Sequence, residues 1–197
     1  MTGRPRSVSD ETIFRAVAET IGDSGPTGLT LAAVARRAGL TAPALAQRFG
    51  SKRGLLLAFA EGESGNAARI FGEARAASPG PVEAIHLALA SLTSAITTRE
   101  ALAHSLAFLQ LDLADPDLRA HAQAQSRAVR AELTALVEEA VDLGDLTVDD
   151  PATVAETLYV VYSGALITWA VESAGPLPAW LSLHVDRALA PHRPAQP

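Results

Sequence analysis

A chain of 197 residues that is 48% apolar but only 5% aromatic can bury a sizeable core, and its apolar set is dominated by Ala and Leu, which favour helices over strands. It has no cysteine, which excludes a disulfide framework, a thiolate metal site and a cysteine nucleophile. The net charge of −6 is uneven: residues 1–60 hold eight basic and four acidic side chains, for +4, and the remainder carries −10, so only the N-terminal part suits a phosphate surface.

The N-terminus is polar and basic with no apolar run behind it, and the longest apolar stretches are interrupted short of the roughly 20 residues of a membrane span. These features predict an all-α protein of about nine helices, cytoplasmic, with no membrane partner. Residues 1–7, basic and containing Pro5, read as a flexible arm. A first helix starts at Ser9 or Asp10, with Ile13, Phe14, Val17 and Ile21 at helical spacing, and Gly22, Gly25, Pro26 and Gly28 end it. Thr30 caps a second helix to Arg37, and Thr41 caps a third to Phe49 after the turn Ala38-Gly39-Leu40. Ser51 opens a fourth helix that runs to about Ala77. The break Ser78-Pro79-Gly80 leads to a fifth over 81–97, and residues 99–113 form a sixth. Asp115-Pro116 opens a seventh to about Leu143, Asp150-Pro151 an eighth to about Ser173, and Leu177–Leu189 make the ninth. The tail from Pro191 onward reads as disordered.

Two short helices joined by a tight turn with Gly have the form of a helix-turn-helix, whose second helix enters the major groove. In Thr30–Phe49, Leu31, Val34 and Ala35 supply the inner face of one helix, and Leu40, Leu45 and Phe49 that of the other. Thr41, Ala42, Pro43, Ala44, Gln47 and Arg48 then point outward. Gln pairs bidentately with adenine, Arg pairs with guanine or holds phosphate, and Thr and Ala meet a thymine methyl. Thr30 and Thr41 open helix N-termini, where phosphates bind well. Lys52 reaches the same backbone, and Arg4 and Arg6 follow the minor groove or the phosphates.

The stretch from Thr12 to about Glu61 resembles the DNA-binding domain of TetR-like (tetracycline-repressor-like) regulators. The matching marks are the apolar first helix, Gly28-Leu29-Thr30-Leu31, Val34-Ala35, Ala38-Gly39-Leu40-Thr41, Leu45, Phe49, and Ser51-Lys52 with Leu55-Leu56. Two positions depart from the family pattern. Ala46 stands where the family usually has a phosphate-binding Tyr, and Arg48 where it usually has His or Tyr. Arg48 is therefore expected to make a compensating contact.

The resemblance implies a DNA-reading domain over residues 1–52 and a regulatory and dimerisation domain over 53–197. It implies a homodimer that binds a palindromic double-stranded operator and answers to a small-molecule effector. The residues agree in part. The eighth and ninth helices are apolar over more than one stripe, and the surplus suits a second copy of the chain. Phe71, His104, Phe108, Tyr159, Tyr162 and Trp169 are candidate effector contacts, although each apolar one reads first as core. Their character points to a hydrophobic or aromatic effector. No His/Asp/Glu cluster has metal spacing, and neither a nucleophile motif nor a phosphate loop is present, so no metal, cofactor or enzymatic activity is expected. The competing readings are an interaction module with a degenerate helix-turn-helix, kept open by Ala46, and a helical small-molecule carrier or enzyme.

Overall fold

The structure, a computed structural model, describes residues 8–172 and 175–194, the Ser64 side chain excepted. Among the described residues there are ten α-helices: α1 (Asp10–Gly28), α2 (Leu31–Arg37), α3 (Ala42–Phe49), α4 (Lys52–Gly62), α5 (Asn66–Ala77), α6 (Pro81–Leu92), α7 (Arg99–Ala114), α8 (Pro116–Asp142), α9 (Pro151–Glu172) and α10 (Leu177–Leu189). The all-α class holds, and the caps read from the sequence are in place. Ser9, Thr30, Thr41 and Ser51 each accept from the backbone N–H three residues on.

Four element readings change. The helix expected from Ser51 to Ala77 is two, α4 and α5, parted by a 3₁₀ turn at Glu63–Gly65. α1 runs through Gly22 and ends only at Gly28, the last of the residues expected to stop it, with a kink at Gly25, whose φ is 62°. α6 stops at Leu92, where Thr93 turns its hydroxyl back to donate to the Ala90 carbonyl at 2.8 Å. The tail is ordered as far as a 3₁₀ turn at Ala190–His192, held by the Thr147 N–H donating to the His192 carbonyl at 2.7 Å. In addition, α9 is long and apolar enough by length and composition to cross a membrane, contrary to the expectation. It nevertheless buries Val154, Ala155, Leu158, Ala165 and Trp169 in the folded chain.

Two compact units are present. The first joins the chain up to Glu63 with Thr98–Ala122, and the second joins Ser64–Thr97 with Gln123 onward. Ile13, Val17, Val34, Leu45, Leu55 and Leu118 are at the centre of the first unit. α7 packs along α1 in this unit, where the His104 ring lies 3.0 Å from the position a Cβ on Gly25 would take. That residue therefore combines a left-handed backbone with contact against a ring, a pairing only glycine satisfies without strain. The second unit is built around Phe71, Ile85, Leu89, Leu133, Leu136 and Leu158, all essentially inaccessible to solvent.

Candidate nucleic-acid interface

α2 and α3 meet through small buried residues. Ala35 and Ala38 let the helices approach closely, and the Leu40 N–H closes the turn on the Ala35 carbonyl at 2.8 Å. Gly39 between them has φ 69°. α3 is anchored by fully buried Leu45, with Leu31, Leu40 and Phe49 half-buried around it. The next junction is fixed by a contact that the sequence reading missed. A Cβ on Gly54 would collide with the Phe49 carbonyl oxygen, so the first turn of α4 sits directly on the last residue of α3.

The outward face of α3 presents Thr41, Pro43, Ala44, Gln47 and Arg48 to solvent, as expected. Ala42 differs, being half-buried against the core of the first unit. The Thr41 and Thr30 hydroxyls are engaged as caps, at 3.3 Å from the Ala44 N–H and 3.1 Å from the Ala33 N–H. Lys52 is half-buried and donates from Nζ to the Pro26 carbonyl at 2.9 Å. Arg48 turns toward the start of the chain, donating to the Val8 carbonyl at 2.7 Å and pairing with Asp10 at 2.8 Å. Arg4 and Arg6 lie outside the described residues.

The basic side chains of this region are in part answered by acids of the same unit. Arg37 pairs with Glu19 and Asp23, and Arg53 with Asp115 and Asp117. Over residues 1–63 and 98–122 there are ten basic and ten acidic side chains, so the first unit has no net charge. Arg15 and Arg36 are exposed and make no ion pair among the described residues, and neither was singled out from the sequence.

The candidate effector residues divide between the units. Phe71 is fully buried, and the Tyr159 and Tyr162 rings lie 6.2 Å apart against the core of the second unit. Burial pushes the Tyr162 phenol up from its ordinary range. Trp169 is buried and donates from Nε1 to the Gly175 carbonyl at 3.0 Å. His104 and Phe108 belong to the first unit, His104 Nδ1 donating to the Gly22 carbonyl at 2.7 Å. An open cleft of about 310 Å³ in the second unit is lined by Val82, Glu83, Asp145, Arg193 and Pro194, none of them a candidate. Among the described residues no group of His, Asp and Glu is placed to hold a metal.

A capped helix pair with a glycine turn, a buried leucine under the second helix and polar residues on its outer face define a helix-turn-helix DNA-binding regulator. Residues 13–59 match the model for bacterial regulatory proteins of the TetR family, and residues 81–192 match that for the C-terminal part of BetI-type transcriptional repressors. The second match alone spans more than half of the chain, which belongs to the TetR family. Solved structures share the fold. One is a putative TetR-family transcriptional regulator from Rhodococcus sp., 21% identical, covering 91% of this chain and 98% of that one with a TM-score of 0.67. Another is SmeT, the repressor of the Stenotrophomonas maltophilia multidrug efflux pump SmeDEF, 22% identical over 95% and 92% of the two chains, TM-score 0.67. A third is a TetR transcription regulator from Haloarcula marismortui, 17% identical over 94% and 98%, TM-score 0.73. Comparison with curated proteins gives no match. The chain is thus a DNA-binding transcriptional repressor of a family that binds operator DNA and effector ligands, and it is not an enzyme.

Proposed function

We propose that this repressor is a homodimer that reads a palindromic operator through α3, and that a hydrophobic or aromatic effector bound in the body releases it. Residues 1–52 form the DNA-reading domain in this reading, and residues 53–197 the effector and dimerisation domain. Gln47 pairs with a base edge, Thr41 and Pro43 line the groove, and Thr30 and Lys52 hold phosphates. Arg4 and Arg6 extend the contact along the duplex. The observation that carries the reading is the geometry of α3. Leu45 locks it from beneath while its polar residues stay exposed.

The dimer rests on a second observation. Val160, Ile167 and Val171 are exposed on α9, with Gly164 between them, and Leu183 is exposed on α10. These are the predicted eighth and ninth helices. The stripe follows a spacing of four, three and four residues, which is one face of a helix, and a second copy would cover it. Two recognition helices held about 34 Å apart would read successive major grooves. Within the second unit, Phe71, Tyr159, Tyr162 and Trp169 supply an aromatic set for the effector. In this reading the repressor works in the cytoplasm, where its operator lies.

Selection of bound sequences from a random DNA pool tests this reading. Enrichment of an inverted repeat with half-sites about one helical turn apart is the expected result. Enrichment of no sequence would overturn it.

A further inference from the structure

Pro26 has no N–H, so the Gly22 carbonyl four residues earlier lacks its helical partner. The chain bends between the two at Gly25, whose φ of 62° and ψ of −171° leave the helical region. The carbonyls on either side of the bend are taken by side chains from elements much later in the chain. His104 of α7 donates from Nδ1 to Gly22 at 2.7 Å, and Lys52 of α4 donates from Nζ to Pro26 at 2.9 Å. Just past the bend come Leu29, which is fully buried, and Thr30, the cap of α2. The path from α1 to α2 is therefore fixed by two side chains at the point where the helix's own backbone bonding fails.

We propose that His104 is a positioning residue for operator binding. It holds the bend of α1 so that the N-terminus of α2, with Thr30, stands where it meets a phosphate. This inference rests on the operator reading above, in which Thr30 is a phosphate contact. Three observations set this role apart from the effector contact that the sequence offered for His104. A carbonyl only accepts, so the neutral imidazole must carry its proton on Nδ1 and has spent that donor inside the first unit. The ring also packs on the bend itself, 3.0 Å from the place a Cβ on Gly25 would take. Finally, Asp115 at the C-cap of α7 holds Arg53, the neighbour of Lys52. α7 thus braces the helices around the reading pair at two separate points, one on α1 and one on α4. Lys52 keeps further N–H donors for a phosphate, since an ammonium has three and Pro26 takes one.

The test measures binding to the selected operator across a salt series for the wild type, His104→Asn, His104→Gln and His104→Ala, with urea unfolding of each. The Asn amide nitrogen sits nearly where Nδ1 does and that of Gln nearly where Nε2 does, so only Asn keeps the donor to Gly22. His104→Ala and His104→Gln are expected to lose about tenfold in affinity, the scale of one good hydrogen bond, with a salt slope shallower by about 0.9 as one phosphate contact goes. His104→Asn should bind nearly as the wild type does, with the wild-type slope. Imidazole nitrogen NMR of the wild type at neutral pH should find the proton on Nδ1. An Ala variant with wild-type affinity and slope would overturn the proposal, as would a Gln variant that binds as well as Asn, or a proton on Nε2 alone. Equal losses in all three variants with the slope unchanged would reduce His104 to packing and overturn it too. If His104→Ala fails to fold, the comparison of Asn with Gln and the wild-type imidazole decide. A wild type that selects no sequence would instead overturn the operator reading, while the imidazole proton would still report on the Gly22 bond.

Discussion

The Arg53 guanidinium grips the Asp115 carboxylate with two hydrogen bonds, Nε to Oδ2 at 2.7 Å and Nη2 to Oδ1 at 3.0 Å. The same Nη2 reaches Asp117 at 2.6 Å, and Asp115 also accepts from the N–H groups of Asp117 and Leu118 at the start of α8. The first turn of α4, next to the recognition helix, is in this way tied to the junction of α7 and α8.

That grip has a titration signature. Arg53 above all, then the two backbone N–H donors, lower the Asp115 carboxyl from the ordinary 3.8 to about 2. A carboxylate lowered in the folded state stabilises it above its unfolded pKa, and the contribution is lost as pH falls from 3.8 through about 2. The pair is exposed enough that the gain is small. Carboxyl-resolved NMR titration should find Asp115 near 2 in the wild type and close to its ordinary value in Arg53→Ala. An unmoved titration would disprove the grip in solution.

Gly54→Ala should reverse the usual rule for helices. Alanine in place of a helical glycine commonly gains about 1 kcal/mol. Here the added methyl would collide with the Phe49 carbonyl oxygen, a backbone atom that cannot swing aside. The expected result is a loss of about 2–4 kcal/mol in urea unfolding, with operator binding reduced as α3 is displaced. A variant as stable as the wild type would refute the close approach.

Phe71 is a test of core against pocket. It is completely shielded from solvent in the second unit, so Phe71→Ala should cost about 3–5 kcal/mol by calorimetry or denaturant titration. A cost under about 1 kcal/mol would mean that the ring borders a cavity able to collapse or fill, and would favour its role as an effector contact.

Exposed apolar groups on α9 set the expectation for assembly. Val171 is 79% exposed and Ile167 is 51% exposed, so replacing both with Glu removes little packing within one chain. Sedimentation should show a dimer for the wild type and a monomer for Ile167→Glu/Val171→Glu, with helix content unchanged by circular dichroism. A dimer that survives both charges would place the interface elsewhere.

Much of the fold was legible because its signals are local. The hydroxyls at Ser9, Thr30, Thr41 and Ser51 cap helices within three residues of themselves, and Leu45 sits at the inward phase of an eight-residue helix. What escaped depends on partners far along the chain. Gly62 lies inside a run that reads as one continuous helix, whereas a Cβ there would strike the Phe14 ring, so its bareness is a packing requirement. Arg48 read as a free cation because nothing near it in sequence predicts a carbonyl 40 residues away. Lys52 likewise gives its ammonium to a carbonyl 26 residues earlier. Charge counting by sequence segment failed in part for the same reason. Half of the balancing acid, Glu61 and Glu63, lies just past residue 60, and the other half is the net charge of residues 98–122.

That balance governs how the repressor travels. A reading unit without net charge exerts no long pull on a duplex, and its cations act only within about 8 Å at physiological ionic strength. Random DNA would then hold it briefly, and most molecules would stay unattached between encounters. The time to find one operator would be set by three-dimensional diffusion more than by sliding along the chromosome.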